Sequence, residues 1–322
     1  MSINPLFDVI IVGGGAAGLA TATGLARQLY NTVVFTNDNY RNARASHMHN
    51  FPTWDHQPPS AFRAKAKEDL LARYKTVQFE SADITKVRKT DAGHFEATDA
   101  QGRSWTARKL VLAHGSEDSF PDIPGFTDCW AYGIYHCLFC HGYEERGRQS
   151  SGVLCIGPHS GNPAMALHQS HMARRLTENV TLYTNGNADL AAQLKELLEQ
   201  DKDAKSGRIH VVDRKIAKFA RGTNGESEVV LTFKDGESVT EGFLVHQPSS
   251  QAKGPFPQQL GLELTPSGDI QTTQPFGEAS VPGVFAVGDW RLCDADQDRR
   301  AGGGDGCFGC WGAFVPTWGG VG

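Results

Sequence analysis

The sequence predicts an α/β protein built from two Rossmann-like, three-layer nucleotide-binding domains, the second inserted in the first. Three observations predict it: a glycine-rich strand-turn-helix at the start, a second strand-turn-helix-strand pattern mid-chain, and breaker-rich linkers on both sides of that second pattern. A chain of 322 residues can give each domain its own apolar core.

The first element is the apolar run Phe7-Asp8-Val9-Ile10-Ile11-Val12, too short for a helix and suited to a buried parallel strand over 6–12. It ends in Gly13-Gly14-Gly15-Ala16-Ala17-Gly18, which fits GxGxxG. Gly13 permits a tight turn, Gly15 lets the backbone approach a pyrophosphate, and Gly18 lets helix and strand pack closely. The helix start at Ala16 and Ala17 offers free amides to the anion. Helical apolar spacing continues through Leu19, Ala22, Leu25, Ala26 and Leu29, and a second strand follows at 32–35.

An acidic residue at the end of that strand would hold an adenine ribose, but Thr36 stands there. Asn37, Asp38 and Asn39 follow and can supply the hydrogen bonds, so the ribose partner stays open. Two later strands end in tight turns: Lys109 to Leu112 before Ala113-His114-Gly115, and Val284 to Val287 before Gly288-Asp289.

The linkers run over 116–126, with Pro121 and Pro124, and over 246–257, with Pro248, Pro255 and Pro257. They set the expected domains at 1–118 plus 249–322 and at 119–248. Within the insert, a strand at 152–157, a helix at 163–176 and a strand at 180–183 repeat the order of the first domain.

The net charge of -5 leaves no basic stripe for nucleic acid. No run approaches 18 apolar residues, so no membrane span is expected. The first strand begins too early to leave room for a signal peptide, and the seven cysteines form no regular disulfide framework. Both point to a reducing, cytoplasmic setting in which one pair is catalytic.

That pair is Cys137-Leu138-Phe139-Cys140, with His141 directly after it. Two cysteines three apart at a helix start can close a small disulfide, and the amide dipoles there favour a thiolate. A dithiol and a dinucleotide motif on one chain suggest electron transfer through sulfur. The bland alternatives are half of a zinc site or two inert core thiols. Zinc would need a second ligand pair, and no metal site is expected.

The whole layout resembles the low-molecular-weight thioredoxin reductase family. It is more similar still to the fungal branch that oxidises dithiols of epipolythiodioxopiperazines, the gliotoxin sulfhydryl oxidase type. Tyr40-Arg41-Asn42-Ala43, His47-Met48-His49-Asn50, Trp54-Asp55-His56, His136-Cys137-Leu138-Phe139-Cys140 and Gly142-Tyr143-Glu144-Glu145-Arg146-Gly147 carry the likeness. So do Tyr183 to Asn187 and Glu241 to Val245. The resemblance implies a thioredoxin reductase-like fold, FAD as cofactor and a homodimer. It places Tyr40, Arg41, His49, Ala113, Gly288 and Asp289 at the cofactor, with Asp289 on the flavin's ribityl chain and His114 where threonine is usual.

A reductase drawing hydride from NADPH needs a glycine fingerprint and basic residues in the inserted domain. Here Gly157-Pro158-His159-Ser160-Gly161-Asn162 breaks the fingerprint, and Thr184-Asn185-Gly186-Asn187 carries no cation. Arg174-Arg175 lies on the preceding helix. Electrons are therefore expected to enter from a small dithiol substrate and leave to dioxygen, giving hydrogen peroxide. By resemblance Cys137 is the outer cysteine and Cys140 the one nearer the flavin.

His141 suits proton transfer between sulfurs, or only caps its helix. His136 has a weaker claim to the same role, and His47 and His56 are read as packing residues. An aromatic surround of Trp130, Tyr132, Tyr135 and Phe139 would suit an apolar ring system. The alternative functions are an NADPH-dependent disulfide reductase and an inactive, flavin-poor relic that binds thiols.

After Asp289 the sequence changes character, with nine glycines over 301–322 where the resemblance implies a helix facing the flavin. Cys307 and Cys310 invite comparison with a C-terminal redox tail. The competing explanation is a shifted reading frame: permitted codons from Trp290 onward, read one base later, can spell GDSAMQTKTVAQAVAMGALAAGALSSQLG. That string repeats the Gly-Asp and supplies the expected alanine-rich helix.

Overall fold

The computed structural model describes residues 5–201, 207–225, 227–266, 268–273, 275–289 and the backbone of 291–293. The C-terminal cysteine pair and the frame-shift expectation lie outside these residues. The chain divides into two compact units. One takes residues up to Ser46, Gln57–Glu117 and the chain from Gln251 onward, and the other takes His47–His56 and Asp118–Ser250.

The first unit opens with β1 (Leu6–Val12), α1 (Ala16–Arg27), β2 (Thr32–Thr36), α2 (Pro59–Arg73) and β3 (Val77–Ser81). It continues through β4 (Ile84–Lys89), β5 (Phe95–Asp99) and β6 (Ser104–Leu112). Strand β1 pairs in parallel with β2 on one side and β6 on the other. Its apolar run is continuous because both faces are covered. Ile10 and Val12 enter one core cluster, while Val9 and Ile11 enter another with Leu19, Ala22, Leu25 and Ala26 of α1.

The linker strand β7 (Ser116–Ser119) leads to the second unit, which begins with α3 (Phe126–Cys129), β8 (Ile134–Tyr135), α4 (Leu138–His141) and a 3-10 turn at Tyr143–Glu145. Next come β9 (Arg148–Leu154), α5 (Gly157–Ser160), α6 (Pro163–Arg174), β10 (Thr177–Tyr183), α7 (Ala188–Gln200) and β11 (Ile209–Val212). A three-stranded antiparallel sheet, β12 (Ile216–Arg221), β13 (Val229–Phe233) and β14 (Ser238–Glu241), precedes β15 (Leu244–Val245). The main sheet of this unit is parallel throughout, in the order β11-β10-β9-β15-β8.

The chain returns through β16 (Ser249–Ala252) to α8 (Phe256–Leu260), β17 (Ile270–Thr273), β18 (Glu278–Ala279), β19 (Val284–Ala286) and β20 (Arg291–Cys293). Strand β19 pairs in parallel with β6, completing the parallel core β3-β2-β1-β6-β19 of the first unit. Two nucleotide-type α/β units of one architecture are thus present, as the sequence predicts.

Element starts differ where polar residues are hidden. Strands β9 and β10 begin at Arg148 and Thr177, ahead of their apolar runs. The buried hydroxyls of Ser151 and Thr177 satisfy each other at 2.8 Å, so these positions need no apolar side chain to sit inside. Helix α6 stops at Arg174, two residues short of the expected end.

Candidate active site

Cys137 and Cys140 form a disulfide with Cα atoms 5.3 Å apart. Cys137 is the residue before α4, and its carbonyl accepts from the amides of Cys140 and His141, each at 3.2 Å. The helix is a single turn, so what it offers the sulfurs is local amides rather than a macrodipole. Both cysteines are half-buried, which keeps the bond reachable. The other described thiols are not reachable. Burial pushes Cys129 up to about 11 and Cys155 up to about 12, so neither supplies a thiolate at neutral pH.

His141 stacks on Tyr135, with ring centroids 5.1 Å apart. Burial lowers its pKa, His49 lowers it further, and Glu144 opposes both. His136 is exposed. The expected aromatic surround divides. Trp130 and Tyr135 are core residues, 9% and 7% exposed, Tyr135 on the short strand β8 and Trp130 at the end of α3 bridged to Ile134, so neither stands out as a substrate surface. Phe139 and Tyr143 stand out instead at 55% and 67%, and Tyr132 carries Arg221 over its ring.

Residues 47–56 belong to this unit and wrap the CxxC turn. The loop closes on itself through the His56 amide donating to the Met48 carbonyl at 2.8 Å. Asn50 Nδ2 donates to the Phe139 carbonyl at 2.9 Å, and His49 Nδ1 bonds the Cys140 carbonyl at 2.6 Å. The resemblance assigns His49 to the cofactor, whereas here it is tied to the redox turn. His49 Nε2 lies 3.2 Å from Glu144 Oε1 and 3.0 Å from His56 Nδ1. Sequence reasoning left His56 as packing and gave Glu144 no role. Nothing local marks the group, since Glu144 lies about 90 residues from both histidines in the chain.

In the first unit the predicted nucleotide residues converge at the carboxyl ends of the parallel strands. Gly13 has φ 115°, and a Cβ there would lie 2.2 Å from the Ala113 carbonyl oxygen. One on Gly18 would lie 1.9 Å from the Gly13 oxygen, so the turn between β1 and α1 closes only with glycine. Gly15 faces open space, with nothing within 4 Å of the same construction. The Gly288 turn packs on Ala17. Asp289 accepts from Arg41 at 3.1 Å and from Ser116 at 3.2 Å.

Thr36 bonds the Tyr40 hydroxyl at 2.8 Å, and Arg63 lies over the Tyr40 ring. Asn37 is engaged with Asp83, and the Asn39 carbonyl accepts from Lys253. Arg63 and Lys253 were not singled out from the sequence. His114 is half-buried, and its two ring nitrogens, both shielded from solvent, have no hydrogen-bond partner. Burial first, then Lys253, lower its pKa to about 4.

The pyridine nucleotide-disulphide oxidoreductase family matches residues 7–302. The chain belongs to that family. Among its relatives, thioredoxin reductase aclD of Aspergillus oryzae is 46% identical over 287 residues, covering 88% of each chain. Thioredoxin reductase tcpT of Claviceps purpurea is 43% identical over 290 residues, covering 90% of this chain and 88% of the relative. An oxidoreductase from Agrobacterium tumefaciens superposes with a TM-score of 0.73 at 30% identity, covering 88% of this chain and 90% of that one. Thioredoxin reductase from Streptococcus pyogenes gives 0.73 at 18% identity, covering 91% and 92%, and shows the shared fold.

Members of this family generally bind FAD, and the first unit fits such a group. The N-cap of α1, Gly15, brings no side-chain hydrogen bond, so the first-turn amides remain for an anion. The second unit of this family member is built differently. Asn162 caps α6, its side chain accepting from Ala164 and Met165 amides at 3.0 and 3.2 Å. A cavity of about 240 Å³ at that end is lined by Cys155, Gly157, Gly161, Thr184, Asn185 and Asn187 among others, with no lysine or arginine in its wall. Among the described residues no helix is long and apolar enough to cross a membrane.

Proposed function

We propose that the chain is an FAD-dependent oxidase that closes a disulfide in a small dithiol natural product, with dioxygen as acceptor and hydrogen peroxide as product. The contrast between the two helix starts carries the reading. At α1 the amides are open behind glycines. At α6 two of them are consumed by Asn162, and the lining of the neighbouring cavity carries no lysine or arginine, although the Lys215 side chain lies beside Gly186 at the 184–187 turn. One nucleotide position is thus suited to a pyrophosphate and the other is not, which supports sulfur rather than NADPH as the electron source.

Gly13, Gly15, Ala16, Ala17 and Gly18 would hold the pyrophosphate, with Thr36, Asn37, Asn39 and Tyr40 toward the adenosine and Arg41, Ala113, His114, Gly288 and Asp289 lining the rest. When bound, FAD supplies the two-electron passage from enzyme dithiol to dioxygen. The protein's own chemistry is thiol-disulfide exchange. A substrate thiolate attacks Cys137, forming a mixed disulfide and releasing Cys140 as a thiolate. The second substrate sulfur then attacks the first, closing the substrate disulfide and releasing Cys137. Two electrons and two protons pass to the enzyme. His141, neutral because burial lowers its pKa, takes a proton from the incoming thiol and returns it to a leaving sulfur.

Mixing the purified protein with a reduced dithiodiketopiperazine and following peroxide tests the reading. Stoichiometric peroxide is expected, and Cys137→Ser should abolish it while leaving the yellow flavin bound. Turnover retained by that variant overturns the mechanism. The names of the relatives favour a second reading, an NADPH-dependent disulfide reductase. It requires that NADPH bleach the flavin without oxygen.

A further inference from the structure

We propose that His49, His56 and Glu144 form a binding site for a zinc-class divalent cation beside the redox turn. The three side chains lie in one compact unit and form the one such group of potential metal ligands found among the described residues. His49 Nε2 to His56 Nδ1 is 3.0 Å, His49 Nε2 to Glu144 Oε1 is 3.2 Å, and His56 Nδ1 to Glu144 Oε1 is 3.7 Å. A tetrahedral ion with bonds of about 2.0–2.1 Å separates its ligand atoms by roughly 3.3–3.4 Å. The three observed edges bracket that value, so an ion fits with shifts of a few tenths of an ångström.

The hydrogen bonding points the same way. A carbonyl only accepts, so the 2.6 Å contact to Cys140 places the His49 proton on Nδ1 and leaves Nε2 as a lone pair. In the neutral ring that lone pair faces the Glu144 carboxylate oxygen, with His56 Nδ1 the one atom of the three that can offer a proton, and a cation held by all three satisfies both acceptors. Metal-bound imidazoles characteristically donate their other N–H to a backbone carbonyl, as His49 does. Two imidazoles and one carboxylate suit zinc, while magnesium and calcium prefer oxygen alone. His56 and Glu144 are 58% and 35% exposed in their side chains, so the fourth position opens to solvent. The ion would cross-link the 47–56 loop to the turn after Cys140.

The argument for the site does not rest on the proposed reaction, and it can be tested on the full chain. Zinc is titrated calorimetrically into metal-stripped wild type, His56→Asn, Glu144→Gln and the Cys137→Ser/Cys140→Ser double variant. Asparagine is chosen at 56 because the backbone there has φ 59°. One zinc per chain is expected, weakened about tenfold or more in each of the two ligand variants, retained by the cysteine variant, with no heat from magnesium. Cobalt(II) bound to wild type should show nitrogen and oxygen ligand bands without a sulfur charge-transfer band, a readout that needs no substitution. The proposal is overturned if wild type binds no zinc at micromolar concentrations, if both ligand variants bind as tightly, if binding disappears only with the cysteines, or if cobalt reports sulfur.

Discussion

At His141 the buried position and the neighbouring His49 lower the imidazole pKa, so the ring is a free base over a wider range than an exposed histidine. The dithiol half-reaction should therefore rise with pH through a value below the ordinary 6.5 and level off before neutrality. His141→Gln should lower kcat/KM for the dithiol by about a hundredfold and remove that limb. Stopped-flow rates across pH check it, and an unchanged limb assigns the proton to another group. His114 titrates in the same direction for a structural reason. Its two ring nitrogens are shielded from water without hydrogen-bond partners, and its folded pKa of about 4 lies below the unfolded value. The stability it contributes is intact above about pH 6.5 and is lost as the pH falls toward 4, to a limit of roughly 3 kcal/mol. His114→Phe keeps the volume without the nitrogens, so urea denaturation of this variant should change less between pH 7 and pH 4.5 than that of wild type.

At the scale of elements, the β1-turn-α1 unit is legible because each constraint in it is local. Apolar residues must run unbroken where both faces are covered, and glycine must stand where a Cβ would meet backbone oxygen at 1.9–2.2 Å. Gly18→Ala tests that packing directly. The methyl group has only the Gly13 carbonyl to displace, so helix and strand must separate at the turn. Loss of bound flavin together with about 1–3 kcal/mol of stability is expected, measured by flavin absorbance after gel filtration and by chemical denaturation. The contrasting α6 start was legible only in part. The sequence showed a broken fingerprint at Pro158, but not that Asn162 would occupy the amides, because a cap depends on backbone geometry at one residue. The strand starts at Arg148 and Thr177 carry no apolar period, because the buried hydroxyls of Ser151 and Thr177 bond each other there.

Across the whole molecule, patterns in sequence revealed two α/β units of one architecture, whereas the membership of residues 47–56 was not legible. That loop lies between elements of the first unit in the chain, and long-range bonds to Phe139 and Cys140 place it in the second. Periodicity carries no signal for such contacts, and the aromatic surround failed for the same reason, since burial of Trp130 and Tyr135 is decided by the sheet they join. The direction of electron flow is a property at this largest scale, because a single flavin can in principle be reduced from either nucleotide or sulfur. The two sources differ in what the protein must provide. NADPH needs open helix amides and a cation in the second unit, and there two amides are capped and the cavity lining carries no lysine or arginine, leaving Lys215 beside Gly186 as the cation against the 184–187 turn. A dithiol needs a reachable disulfide and a neutral base, and both are in place at Cys137, Cys140 and His141. Under anaerobic conditions a small dithiol should bleach the flavin about a hundredfold or more faster than NADPH at equal concentration, a ratio equivalent to roughly 2.7 kcal/mol in barrier. Cys137→Ser should lose the dithiol reaction and leave the slow NADPH reaction unchanged. If NADPH instead reduces the wild type at a rate matching or exceeding the dithiol, electrons run outward to sulfur, and the chain is a reductase like those its relatives are named for.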